Sequence, residues 1–178
     1  MARIFVGLAA LNTAFLLATF TIGFFAEGRQ ELAGGDADAA ALWPFTVHFL
    51  LGLFTTLLTL LVHSLAFTYF IGTGRWVEKV VASYMLPKEL WSQSRNLKMR
   101  ALPAFLGSVF MVLLATILGA AVDRGLLDGT LHMAAAMLAI LFNLWSYLRE
   151  YRALLANGGL IDHIMAEVKR MRAERGLY

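Results

Sequence analysis

The sequence contains no cysteine, and only 15% of its 178 residues are charged. The absence of cysteine excludes disulfides, thiolate metal sites, iron–sulfur clusters and covalently attached c-type haem. A soluble domain usually has roughly 25% charged residues and about 45–50% apolar residues. The composition is therefore not that of a soluble protein, and any specific chemistry must be carried by the few polar side chains that remain.

The hydrophobic residues, 60% of the chain, are concentrated in four runs at about 4–25, 43–71, 102–122 and 130–147. Mean hydropathy is +0.69. A helix needs roughly 20 apolar residues to cross a bilayer, and each run is about that long. Backbone groups in lipid must satisfy their own hydrogen bonds, so each run is expected to be helical. The sequence therefore predicts an all-α fold, an integral membrane four-helix bundle.

The charged residues predict how the bundle is oriented. Segment 72–100 has six basic and two acidic residues and segment 149–178 has six and four, whereas 26–42 has one and four and 123–129 has one and two. Lys and Arg collect on the cytoplasmic side of membrane proteins. We therefore expect a bacterial-type inner (plasma) membrane protein with cytoplasmic N- and C-termini. Its net charge of +3 fits contact with anionic lipid headgroups and indicates no nucleic-acid partner.

The cytoplasmic connection 72–100 has a helix-forming composition. We predict that the second helix continues to about Tyr84, that the chain turns at 85–88, and that the third helix begins near Lys88. The two helices would then form a cytoplasmic extension of the bundle. Gly72 and Gly74 offer an alternative, in which the second helix ends at the membrane surface.

The fourth helix is predicted to run to Ala156 and to end at Asn157-Gly158-Gly159. This divides the chain into a transmembrane domain, 1–156, and a C-terminal amphipathic helix, 157–178. Apolar residues there recur on one helical face, with basic residues off it. The segment either lies on the inner membrane surface or packs against the protein's own cytoplasmic extension.

None of the four apolar runs contains Asp, Glu, Lys or Arg. This argues against an ion-coupled pump or a transporter of charged substrates. The polar residues inside the runs can be placed by the rise of about 1.5 Å per residue. His48 and His132, on different helices, both fall roughly 5–8 Å inside the outer boundary.

A second polar layer is predicted roughly 9–14 Å from the inner face. Each helix contributes one residue to it, in chain order Asn12, His63, Ser108 and Asn143. Polar groups in hydrocarbon need partners, so these side chains are expected to face the bundle interior. His48 and His63 are fifteen residues apart, a net rotation of roughly 60°, and should share that face.

Two imidazoles at one depth on different helices point to haem b held between His48 and His132 as axial metal ligands. Bis-histidine ligation suits electron transfer rather than oxygen binding. In this architecture the chain resembles the four-helix membrane b-type cytochromes and cytochrome anchor subunits. That family places axial histidines on facing helices and exchanges electrons with quinone, so the resemblance implies quinone and redox or membrane-complex proteins as partners. The resemblance covers the four predicted membrane spans and includes no diagnostic sequence motif.

Other roles stay open for the same residues. His48 and His132 either bind haem, hydrogen-bond to backbone carbonyls, or serve a metal or proton-relay site. His63 either ligates a second haem, lines a quinone pocket with Asn143, or forms a structural hydrogen bond within the inner layer. The alternative function is a cofactor-free membrane scaffold or anchor subunit that docks a soluble partner at its cytoplasmic face. Either function allows a homo-oligomer. A small enzyme acting on lipid or quinone is a third class, although no nucleophile–base pair supports it.

Overall fold

The computed structural model describes the backbone of residues 1–33 and 39–176. Side chains are described for residues 1–25 and 45–176. The described chain consists of four helices: α1 (Ala2–Ala33), α2 (Ala39–Tyr84), α3 (Lys88–Asp123) and α4 (Gly129–Glu174). The all-α prediction is confirmed for this part of the chain. Of the acidic segment 26–42, which was expected to connect the first two helices, residues 26–33 end α1 and residues 39–42 begin α2, while 34–38 lie outside the described residues.

The helices form an antiparallel bundle in chain order. Each helix packs against the next, α1 also packs against α4, and α2 and α4 touch across the middle. Side chains from α2 and α4 therefore meet inside the bundle, and these two helices run in the same direction. We call the end that contains the 85–87 connection the turn end.

The outer surface of the bundle is strongly apolar. Large hydrophobic side chains are exposed along all four helices, among them Phe24, Leu57 and Ile117, which are 57%, 59% and 65% exposed. Within the described residues, all four helices are long and apolar enough to cross a membrane. This surface is compatible with a multi-pass membrane protein, because lipid covers such faces without cost.

The connection between α2 and α3 is a tight turn that has the predicted boundaries. Met85 has a positive φ of 53°, and the Leu86 N–H donates to the carbonyl of Val81 at 3.0 Å, which satisfies a carbonyl at the end of α2. Pro87 precedes α3 with φ −55°. α2 runs uninterrupted past Gly72 and Gly74. The prediction of a continuous second helix is therefore confirmed, and the alternative, a helix that ends at these glycines, is wrong.

The predicted end of the fourth helix at residues 157–159 is wrong. One helix, α4, continues to Glu174. Glycine in a helix costs about 1 kcal/mol relative to alanine. Burial offsets that cost here, because Leu160 and Ile164 are 8% and 0% exposed.

The segment beyond residue 157 packs on the helical extension formed by the ends of α2 and α3. This is the second of the two arrangements expected for its amphipathic face. The shared hydrophobic cluster contains Val77, Val81, Leu86, Leu90, Leu160 and Ile164. The extension is therefore built from three helices rather than two, and residues 157–174 form part of the bundle core.

Candidate functional site

Two histidine rings meet near the end of the bundle opposite the turn end. The ring centroids of His48 on α2 and His132 on α4 are 6.1 Å apart, and the ring planes are inclined by 74°. Both residues are half-buried. The prediction that these imidazoles lie at one level, on facing helices, is confirmed.

Each ring is held by a backbone carbonyl of a neighbouring helix. His48 Nδ1 lies 3.0 Å from the carbonyl oxygen of Thr19 on α1. His132 Nδ1 lies 3.0 Å from the carbonyl oxygen of Ala115 on α3. A carbonyl only accepts, so each Nδ1 must donate its proton, and the lone pair of each ring is then on Nε2. This is the tautomer that a metal-ligating histidine needs.

A glycine lies under each ring, four residues after the carbonyl that holds it. A Cβ at Gly23 would lie 2.5 Å from His48 Cε1, and a Cβ at Gly119 would lie 2.9 Å from His132 Cε1. Any larger residue would push the imidazole away. Both histidines are therefore held in the same way. In each case a backbone carbonyl accepts from the ring, and a glycine four residues later leaves space for it.

The two rings line a cavity of ≈ 210 Å³. Phenylalanines from α1 and α2 line it, and so do two hydrogen-bonded pairs of threonines, Thr19 with Thr55 at 3.0 Å and Thr56 with Thr116 at 2.8 Å. Cofactor pockets are usually about 300–1,000 Å³. A large planar cofactor would therefore fit only with side-chain movement or with part of its surface exposed at the side of the bundle.

The donor set does not match a bare metal ion. Among the described residues no cluster of three or more His, Cys, Asp or Glu side chains could hold one. Structural and catalytic zinc sites, by comparison, use three or four protein ligands. Two imidazoles do suit an iron whose remaining ligands are the nitrogens of a macrocycle, as in haem.

The predicted inner layer is buried in the bundle. Its four members, Asn12, His63, Ser108 and Asn143, are each 0% exposed. Asn12 donates to Thr59 Oγ1 at 2.8 Å and to Tyr147 Oη at 2.6 Å. The inward orientation predicted for these side chains is confirmed.

His63 and Asn143 do not line the cavity between His48 and His132. His63 Nε2 lies 2.9 Å from Asn143 Oδ1, and Nδ1 lies 2.7 Å from Glu150 Oε1. Both ring nitrogens are engaged, so in this arrangement neither can ligate a second haem. The structure supports the hydrogen-bonding role that the sequence left open for His63.

Glu150 is the functional candidate that the sequence analysis missed. It was assigned to the basic tail, outside the fourth apolar run, yet its side chain is 1% exposed inside the bundle. The four apolar runs themselves contain no charged residue, but the bundle buries a carboxyl group just beyond the end of the fourth run. A signal was present, since Asn143, Glu150 and Asn157 are spaced by seven residues and so share one helical face.

Comparisons with protein-family models, with curated proteins and with solved structures found no match for this chain.

Proposed function

We propose that the protein is a membrane b-type cytochrome-like subunit that binds haem b between His48 and His132. The observation that supports this most directly is the facing pair of imidazoles, 6.1 Å apart and each fixed through Nδ1 by a carbonyl. A metal–imidazole bond is about 2.0–2.1 Å, so one ion between two rings separates their centroids by about 6 Å. This spacing is compatible with two imidazoles that would hold one haem iron between them.

Each part of the chain has a separate task in this proposal. The carbonyls of Thr19 and Ala115 fix the tautomer and rotation of the two rings. Gly23 and Gly119 leave the space that the rings occupy. Bound haem would supply one-electron transfer, and the two histidines would keep it six-coordinate and closed to oxygen.

We place the bundle in a bacterial-type inner membrane with both termini cytoplasmic. The apolar outer surface and the collection of basic residues at the turn end support this orientation. The histidine cavity then lies near the outer face. Quinone, or a redox protein of the same membrane complex, is the proposed partner in electron exchange.

The test is a spectrum of the detergent-purified protein after haem supplementation. We expect a Soret band and an α-band in the dithionite-reduced minus oxidised difference spectrum. His48→Ala and His132→Ala should each lose the six-coordinate signal. His163→Ala is the matched control and should keep it, because His163 is exposed on the extension.

A wild-type protein that folds but gives no such bands would overturn the proposal. It would favour the second candidate function, a cofactor-free scaffold. The three-helix extension supports that alternative, because it exposes Met85 (93%) and Trp91 (37%) at the end where basic residues are concentrated. In that case, substitution of these two side chains should abolish binding of the soluble partner.

A further inference from the structure

An ionisable pair is sealed inside the bundle, away from the histidine cavity. His63 and Glu150 are 0% and 1% exposed, and Nδ1 lies 2.7 Å from Oε1. Ionisable side chains at such positions are costly and usually have a function. In other proteins, replacing a buried ion pair by hydrophobic side chains of similar volume is often neutral or stabilising, so stability is a weak explanation for this one.

The hydrogen bonds around the pair define which protons it holds. Asn143 Nδ2 donates to the Ala139 carbonyl at 2.8 Å, so Asn143 Oδ1 is the atom that accepts from His63 Nε2. One further proton lies between Nδ1 and Oε1. The pair is neutral overall whether that proton resides on the imidazole or on the carboxyl group.

Glu150 has a second oxygen, Oε2, that is buried and makes no hydrogen bond to the described residues. Buried polar atoms in proteins almost always have a partner, which is often an ordered water. Asn157 Oδ1 is in the same situation, one heptad along α4. Seven residues correspond to roughly 10 Å on one helical face, a gap that a few water molecules span.

The Asn157 end of this face reaches the bundle surface. Asn157 Nδ2 donates to Thr73 Oγ1 at 3.0 Å. Thr73 is half-buried, and Gly72 beside it is exposed. Water at the surface can therefore meet the hydrogen-bonded Thr73–Asn157 pair, although the hydrophobic cluster of the extension closes the bundle beyond it.

We propose that His63 and Glu150 form a proton-binding site inside the bundle that exchanges protons with surface water, by way of water molecules that hydrogen-bond along Asn157 and Thr73. An incoming proton from hydronium binds Glu150 Oε2, leaves water behind, and gives imidazolium beside a neutral carboxyl group. Its return to water restores the neutral pair. No electron or other group is transferred.

Polar contacts also extend from the pair toward the histidine cavity. Tyr147 stacks on His63, with centroids 4.9 Å apart and ring planes 16° from parallel. Its hydroxyl accepts from Asn12, which also donates to Thr59. These contacts run from the pair toward the histidine cavity. If the proposed redox function is correct, the pair is an internal proton donor for that cavity, where quinone would take up electrons and protons together.

The test does not depend on haem. The chain has only four histidines, so their ring N–H signals can be assigned by NMR of uniformly ¹⁵N-labelled protein in lipid nanodiscs. After transfer into D₂O, the ring protons of His63 should have protection factors, which correct for intrinsic exchange rates, at least tenfold lower than those of the backbone amides of Val62 and Asn143 around them. A sealed structural pair would instead be protected as strongly as those amides, which would overturn the proposal.

Two variants examine the route and the acceptor. Asn157→Leu should slow exchange at His63 by tenfold or more, and it should fold, because Thr73 Oγ1 still donates to the Tyr69 carbonyl at 2.8 Å. Asn96→Leu, the same change at an exposed position of α3, should leave exchange unchanged. Glu150→Gln should slow exchange as well. An Asn157→Leu protein that exchanges at the wild-type rate would remove the route and with it the proposal, even if Glu150→Gln does not fold.

Discussion

The histidine cavity depends on two glycines, Gly23 and Gly119, each of which leaves space for an imidazole ring. We predict that Gly23→Ala and Gly119→Ala each displace one imidazole, because the added Cβ would lie 2.5 Å and 2.9 Å from its Cε1. The ring tip can move, so the loss in stability should be modest, about 1–3 kcal/mol. Haem affinity should fall much more, because the displaced ring also loses its carbonyl partner. Haem titration and thermal unfolding separate the two effects.

The chain provides matched controls for these substitutions. A Cβ at Gly7 on α1 or at Gly158 on α4 would have no atom within 4 Å. Gly7→Ala and Gly158→Ala should therefore bind haem normally and should stabilise their helices by up to about 1 kcal/mol. Equal haem affinity in the Gly23→Ala protein and the Gly7→Ala protein would show that close packing under the ring is unimportant.

The buried pair gives a second prediction for single residues. Glu150→Leu should lower the free energy of unfolding by about 3–5 kcal/mol, because it leaves buried His63 without its charged partner. The double variant His63→Leu/Glu150→Leu should recover part of that loss. Thermal unfolding of both single variants and the double variant gives the coupling energy, expected at about 0.5–3 kcal/mol. Strict additivity would mean that the 2.7 Å contact contributes little.

Sequence reasoning was successful for residues whose position follows from depth alone. His48, His132 and the four members of the inner layer could be placed because a helix converts residue number into height. Glu150 could not, since it was assigned to a charged tail rather than to a helical face. Nor could the paired glycines be recognised, because their role appears only when α1 meets α2 and α3 meets α4.

At the level of the helices, the largest difference concerns α4. Asn-Gly-Gly is typical of a helix end, and this local preference predicted the stop at residue 157. Tertiary packing overrides it, because Asn157, Leu160 and Ile164 continue the buried face of the helix. The turn at 85–87 was predictable because Pro87 cannot continue α2, and no competing burial opposes it.

The start of α4 provides a pH-dependent prediction. Hydrogen bonds from Thr130, the side chain first and the backbone N–H second, lower the pKa of Asp128 below its ordinary value of 3.8. A lowered folded-state pKa means that the carboxylate stabilises the fold above about pH 3.8 and that this contribution disappears as the pH falls through the folded-state value. Asp128→Asn keeps a helix-capping side chain but removes the charge.

The measurement for Asp128 is a pair of melting curves at several pH values. Wild type should unfold at a slightly higher temperature than Asp128→Asn at neutral pH. The two melting temperatures should converge in acid below the ordinary carboxyl pKa. A difference that grows as the pH falls would have the wrong sign and would contradict the assignment of Asp128 as a charged cap.

The whole molecule reverses the usual distribution of polarity in two respects. Large hydrophobic side chains cover much of its outer surface, and buried polar side chains, among them His63, Asn143 and Glu150, lie between α2 and α4. Hydropathy predicted the first feature because it depends on composition alone. The second feature depends on which faces meet, and it places the histidine cavity and the His63–Glu150 pair roughly 20 Å apart along the bundle.

The continuous α4 also makes a prediction for the complete chain. Deleting residues 158–178 should destabilise the bundle instead of releasing an independent surface helix, because Leu160 and Ile164 are buried against α2 and α3. Loss of these two side chains alone should cost about 3–6 kcal/mol, from roughly 1.5–3 kcal/mol for each. Deleting only 176–178, which follow the end of α4, is the control and should have little effect on thermal unfolding in detergent. If the longer deletion unfolds at the wild-type temperature, residues 157–174 do not contribute to the core, and the original division of the chain at residue 157 would be the better description.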